Sequence, residues 1–268
     1  MLRVLSRVIG AFRFIGAYTL ANVQAAMEYR VAFITEIAVM VSSDSLWLLF
    51  WLSYFQQFSI AHNWNSREIL LLWTICTVGF GISMGVFGNA VNLSRLIMNG
   101  SLDAYLSMPR NVLLHACVSA SDPGGWGDML FGLGGFLLFV HPDPLQMVLY
   151  GILVCCSAVV FTAFLVIIGS LTFFLGNLEG MAQQLLGVLV SFSTYPQEIF
   201  RGGVLLLLFT VLPSGFIAYL PMQALQQHSW LLTGEVVAFT LFFGTIAYLL
   251  FSLGLRRYES GNLLGMQS

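Results

Sequence analysis

The 268-residue sequence contains no lysine, and all ten of its basic residues are arginine. A phosphate-binding P-loop sets a lysine on the nucleotide phosphates, and retinal or pyridoxal Schiff bases need a lysine amine. The chain therefore neither hydrolyses ATP by the P-loop route nor forms such a Schiff base. Charge of either sign is scarce, at 8% of residues against about a quarter in an ordinary soluble domain. Twelve acidic and ten basic residues leave neither a basic footprint for nucleic acid nor a disordered acidic tail. Four cysteines, Cys76, Cys117, Cys155 and Cys156, lack paired metal-ligand spacing and imply no disulfide framework. No residue set marks a catalytic centre, a metal site or a cofactor bound by this chain.

What the sequence has in abundance is uncharged length: 58% of it is hydrophobic, in runs such as those between Asp143 and Glu179 and between Glu235 and Arg256. A helix crossing the hydrocarbon needs about 20 apolar residues and tolerates few ionised ones. A membrane barrel would instead alternate apolar and polar residues in short segments, which these runs do not. The sequence predicts an all-α polytopic membrane protein forming one domain over residues 1–268. Spans are expected at Val31 to Phe55, Ile69 to Leu93, Gly125 to Val140, Leu145 to Leu175, Met181 to Tyr195 and Leu231 to Leu253. Both chain ends carry arginine: Arg3, Arg7, Arg13 and Arg30 at one, Arg256 and Arg257 at the other. The positive-inside rule puts both ends in the cytoplasm, so the number of crossings is even.

Six transmembrane helices satisfy this, with Arg67 and Arg201 outside. Val204 to Leu220, within residues 196–230, is then an outer re-entrant hairpin before the last span. The alternative makes Val204 to Leu220 the fifth span and lays Met181 to Tyr195 along the cytoplasmic face, which moves Arg201 inside. Pro213 and Pro221 interrupt the segment and favour the hairpin. Residues 1–30 read as an amphipathic interfacial helix rather than a removable signal. Arg3, Ser6, Arg7, Arg13 and Gln24 gather on one side, Leu5, Val8, Ile9, Phe12 and Ile15 on the other. The cationic side suits lipid headgroups.

Three patterns invite a functional reading. Gly81-Ile82-Ser83-Met84-Gly85 matches GxSxG but sits inside an apolar helix with no histidine on a neighbouring span. Gly81, Gly85 and Gly88 read better as a small-residue face for close helix packing. Gly125-Trp126-Gly127-Asp128 resembles the GxGD pattern of intramembrane aspartyl proteases, which pair two carboxyls across facing spans. The expected spans put Asp128 near the cytoplasmic end of one helix and Asp44 midway along another, too far apart to share a proton. Glu36 and Asp44, eight residues apart and about 80° from each other on a helix, are candidates for a pathway or interface seam. Their bland reading is Glu36 at the headgroups and Asp44 hydrogen-bonded to Ser42, Ser43 or a neighbouring helix.

The segment Arg95 to Arg110 lies on the arginine-rich side between the second and third spans. Asn99-Gly100 signals a turn, Ser101 is a candidate N-cap, Asp103 stands in the first helical turn and Pro109 closes the unit. The expectation is a short cytoplasmic helix presenting Leu102, Tyr105 and Leu106, which docks on a partner, on its own bundle or on headgroups.

Taken together, four stretches resemble the membrane subunits of ABC-2 type exporters, in particular small six-span permeases. They are Glu28-Tyr29-Arg30 entering the first span; Gly100 to Leu106 through Pro109; Tyr195-Pro196 with Ile199-Phe200, Pro213 and Tyr219-Leu220-Pro221; and the terminal Leu255-Arg256-Arg257-Tyr258-Glu259-Ser260-Gly261-Asn262. The resemblance implies a bacterial inner-membrane subunit that pairs with a second copy or a related permease. A separate ABC ATPase, holding ATP and magnesium, would drive it. It further implies that residues 95–110 couple to that ATPase through Leu102, Asp103, Tyr105 and Leu106, and that an outer re-entrant segment precedes the last span. An ion-gradient-driven transporter or channel using Glu36 or Asp44 is the competing reading, against which no repeat between the two halves of the chain is visible.

Overall fold

The computed structural model describes residues 2–57, 66–195, 200 and 202–258. His62, Pro196, Ile199, Arg201 and the Glu259 to Asn262 part of the terminal stretch lie outside the described residues. Among the described residues there is helix and no strand. The helices are α1 (Leu2–Ala26), α2 (Arg30–Gln57), α3 (Ser66–Phe87), α4 (Leu93–Met98), α5 (Asp103–Leu106) and α6 (Val112–Val118). They continue with α7 (Pro123–Gly135), α8 (Pro144–Leu175), α9 (Met181–Thr194), α10 (Gly203–Thr210), α11 (Leu220–Gln226) and α12 (Trp230–Leu255). Four helical stretches are long and apolar enough to cross a membrane: Ile9–Tyr54, Arg67–Met98, Pro144–Leu175 and Trp230–Leu255.

α3 and α8 form the axis of the bundle, and both are largely buried. α3 is hemmed in because glycine lets its neighbours approach its backbone. A Cβ at Gly81 would come within 2.6 Å of Gly125 O, one at Gly88 within 2.9 Å of Asp122 N, and one at Gly79 within 2.6 Å of Ser157 Cβ. The small-residue face expected from the sequence is thus where α3 meets α7, with Gly132 of α7 returning the contact against Thr77. On the far side, α8 packs along α12, where Gly254 receives the Phe173 ring. Ser83 of the GxSxG match hydrogen-bonds Thr162 of α8 at 2.9 Å, a helix-to-helix tie.

The third expected span is corrected at its start. The helix there, α7, begins at Pro123 rather than Gly125, and it is preceded by α6 from Val112, with a break over Ser119 to Asp122 between the two. The break is held by α3. Asn89 Nδ2 donates to Ala116 O (3.0 Å) and to Ser119 Oγ (2.7 Å), the Asn89 backbone N–H to Ala120 O (3.2 Å), and Ser121 Oγ to Gly85 O (2.6 Å). Asp122 caps α7 by accepting from the Gly124 N–H at 2.8 Å, with Pro123 at the first helical position. Irregular backbone at this depth survives because protein groups take its hydrogen bonds.

α1 runs into α2 through a short 3-10 turn, Met27–Tyr29, with no break from right-handed geometry. Its protein-facing stripe is Phe14, Tyr18 and Asn22, one residue per turn. Tyr18 hydrogen-bonds the His115 ring and Asn22 Nδ2 donates to Val118 O at 2.9 Å, while Phe12 and Arg13 are exposed. α9 starts beside Arg95 and Asn92 and ends with Tyr195 against Trp47 and Trp51, so it runs along α3. After α10, the chain turns at Pro213, places Ile217 O under the Ser157 hydroxyl of α8 (2.6 Å), and returns along α11 to His228.

Candidate functional site

The segment 95–110 is built on α3. α4 extends α3 beyond a 3-10 turn at Gly88–Asn92, and Gly100, at φ 69°, ends it in the left-handed region that favours glycine. The Asn99-Gly100 turn signal is therefore used as expected. Leu102 N–H returns to Leu96 O at 3.2 Å, and α5 is a single turn. No side chain caps α5, and its N-cap position is Leu102 rather than Ser101.

Leu102 and Tyr105 are not presented to water. Leu102 is 0% exposed, and Tyr105 donates to Ser119 Oγ at 3.0 Å with its ring 5.3 Å from that of His115. A four-residue helix this close to the bundle turns two of its apolar side chains inward, onto α6 and the break. Leu106, 44% exposed, is left outward together with Met98 and Met108. Asp103 lies beside Tyr258, just past the end of α12; burial and then the Asp103 carboxyl push the Tyr258 phenol up to about 12. Two stretches that carried the family resemblance thus touch each other. The sequence reading missed His115, Tyr18 and Asn22. Their only signal was polar residues at four-residue spacing inside an apolar stretch.

Glu36 and Asp44 are not brought together. Glu36 is exposed on the outer side of α2, whereas Asp44 turns inward and lies close enough to Asp128 of α7 for the two carboxyls to interact, with Cys76 of α3 beside both. The expectation that Asp44 and Asp128 stand too far apart is corrected. Asp128 lies near the middle of α7, which begins at Pro123, and not near a helix end. Gly124 and Gly127 also draw α7 against Ile37 and Met40, where a Cβ at Gly127 would meet Ile37 O at 2.8 Å. Asp128 is 5% exposed.

At the opposite end of the bundle from Arg95 and Arg110 lies a polar cavity of about 540 Å³, lined by Arg67, Glu68, His141, Asp143, Gln146 and His228. His228 Nε2 stands 3.2 Å from Asp143 Oδ2. The Gln146 backbone N–H, followed by His228, holds the Asp143 carboxyl below its ordinary range. His141 and His228 both adopt left-handed backbone, at φ 51° and 50°, where non-glycine residues are uncommon. Among the described residues, no three His, Cys, Asp or Glu side chains converge as metal ligands.

Compared with known families, residues 41–262 match the family described as ABC-2 family transporter protein. The chain belongs to the ABC-2 transporter family. The matched region runs from the middle of α2 past the end of α12, so it takes in the 95–110 segment, the broken third helix and the α10–α11 turn. No curated protein and no solved structure matches this ABC-2 chain. It is a membrane transport protein, all-α, with apolar helices long enough to span.

Proposed function

We propose that this ABC-2 protein is the permease subunit of a bacterial inner-membrane exporter, powered by ATP hydrolysed on a separate ABC ATPase subunit. Residues 95–110 are the contact with that ATPase. The observation that carries the reading is the division of labour within α5. Leu102 and Tyr105 fasten the turn to α6 and to the break in the third helix, while Leu106, Met108 and Met98 stay uncovered at the arginine-bearing end of the bundle. An apolar tip fastened rigidly behind and open in front suits a surface that both docks on a partner and passes its movement inward. The absence of lysine agrees with hydrolysis in another chain.

Six crossings with both termini in the cytoplasm fit the same reading. α6 and α7 would together form the third crossing, and α9 the fifth, since it follows α3 from Arg95 to the level of Trp47. The α10–α11 unit is the outer re-entrant hairpin, which the Ser157–Ile217 bond and the return to His228 support. A second copy or a related permease would complete the pathway. The ion-gradient alternative would use Glu36 or Asp44; Glu36 is exposed on the outer side of α2 and Asp44 turns inward beside Asp128.

Leu106→Asp in the tagged full chain tests the contact. Membrane insertion should be unchanged while the co-purified ATPase falls by about tenfold or more. Undiminished ATPase recovery would remove Leu106 from the interface and with it this account of residues 95–110.

A further inference from the structure

A groove of about 460 Å³ opens sideways from the bundle between α6, α8 and α12. Leu113 and Cys117 of α6, Val159 and Val166 of α8 and Gly244 of α12 line it. It is within the range of small-molecule sites, roughly 300 to 1,000 Å³. The side chains around it leave it unfilled: a Cβ at Gly244 would meet only Val159 Cγ1, at 3.8 Å. Val159 and Tyr248 are both exposed, so the groove opens on the outer surface of the chain. An apolar cavity at this depth holds hydrocarbon better than water.

The groove is apolar along its length and polar at one end only. From Cys117 to Asn111 it follows α6 for about 9 Å, toward the side where Arg95, Arg110, Arg256 and Arg257 lie. There Asn111 Nδ2 donates to the Tyr248 hydroxyl at 3.4 Å, and both groups are open to the surface. Arg110, next in the chain, is exposed and rests its guanidinium 5.5 Å above the Phe14 ring of α1. Among the described residues, no carboxylate pairs with it. An amide and a phenol at the mouth of a hydrocarbon slot, with an exposed guanidinium one residue along the chain, match an anionic head carried on an apolar tail.

We propose that this groove binds one acyl chain of an anionic membrane lipid, whose headgroup sits on Arg110, Asn111 and Tyr248, and that such amphiphiles are the substrate class of the permease. The assignment of the lipid as substrate rests on the permease reading given above; its binding in the groove does not. A lipid from the arginine-bearing leaflet reaches this slot sideways without leaving the membrane.

The test uses the full chain, with whatever ATPase co-purifies, in phosphatidylcholine nanodiscs containing a little phosphatidylglycerol that bears a photoactivatable acyl chain. Crosslinks should concentrate on residues 159–166 and 244–248. Unlabelled phosphatidylglycerol should displace the probe, and added phosphatidylcholine should not. Arg110→Gln should lower labelling of these peptides by roughly fivefold, the loss expected for one basic residue at an anionic headgroup. Gly244→Phe should fill the slot and abolish labelling. In both variants, background labelling of the exposed Leu137–Phe139 surface should persist, which reports an intact fold. Labelling spread evenly over the lipid-facing helices, or displaced equally by phosphatidylcholine, overturns the site. Selective labelling with no stimulation of the co-purified ATPase by phosphatidylglycerol keeps the site but overturns the assignment of the lipid as substrate.

Discussion

Asp44 of α2 and Asp128 of α7 stand side by side where the backbones of the two helices nearly touch, at Gly127. A buried carboxyl needs a polar partner, and each of these two has the other beside it. Replacements at Asp128 should therefore differ sharply. Asp128→Asn keeps a donor toward Asp44 and should leave the melting temperature of the detergent-purified protein near that of the wild type. Asp128→Leu leaves Asp44 without its partner and should cost about 1–3 kcal/mol. Equal melting temperatures for the two variants would show that the contact does not hold α2 to α7.

The packing of α3 gives a second, position-specific expectation. Gly81→Val forces a side chain into the Gly125 carbonyl and should cost roughly 1–3 kcal/mol through overpacking. Gly151→Val, on α8 with nothing near its Cβ position, should be close to neutral. Heating the two variants and following the monodisperse fraction by size-exclusion chromatography checks the contrast, and similar losses would contradict the packing.

Asn89 serves the break in the third helix by donating to Ala116 O and Ser119 Oγ. Asn89→Leu removes both bonds, at a cost of about 0.5–1.5 kcal/mol each, since Tyr105 still donates to Ser119 Oγ and Ser119 Oγ to Ala116 O. Cysteine accessibility at Ala120, probed with a membrane-permeant maleimide, should rise as the break loosens. Unchanged reactivity would mean that α3 does not hold it.

Asp143 caps α8: it accepts from the Gln146 N–H at 2.7 Å, and Gln146 Oε1 accepts from the Asp143 N–H at 3.2 Å. Its carboxyl is held below the ordinary range, so the folded state favours the ionised form. The stabilisation is complete above the usual carboxylate pKa, near 3.9, and fades as pH falls through the lower folded value. Asp143→Asn should melt earlier than wild type at neutral pH, and the gap should narrow under strong acid. A gap that widens with acid would refute the sign.

Much of this fold is readable from composition and punctuation. The uncharged run after Asp143, opened by Asp143 and Pro144, becomes α8, and Asn99-Gly100 ends α4 as a turn. What was not legible depends on partners distant in sequence. Val112–Val118 is too short and polar-flanked to read as part of a span, and its continuity with α7 depends on Asn89 from another helix. An expected helix start at Gly125 set Asp128 near a helix end and away from Asp44, whereas α7 begins at Pro123 and Gly127 brings it against α2. Leu102 and Tyr105 looked exposed because one turn of helix has too few residues for a periodicity to tell its inner face from its outer one. Glu36 and Asp44 share a helix, yet only the neighbour at Gly127 decides which of them turns inward.

The central claim is that this chain transports on energy supplied by another. Gentle purification of the tagged protein from its native host, with mass spectrometry of what accompanies it and an ATPase assay, tests it most directly. The account predicts a stoichiometric ABC ATPase whose hydrolysis stops when that subunit's own P-loop lysine is replaced. A chain that purifies alone and moves solute in liposomes on an imposed ion gradient would contradict it.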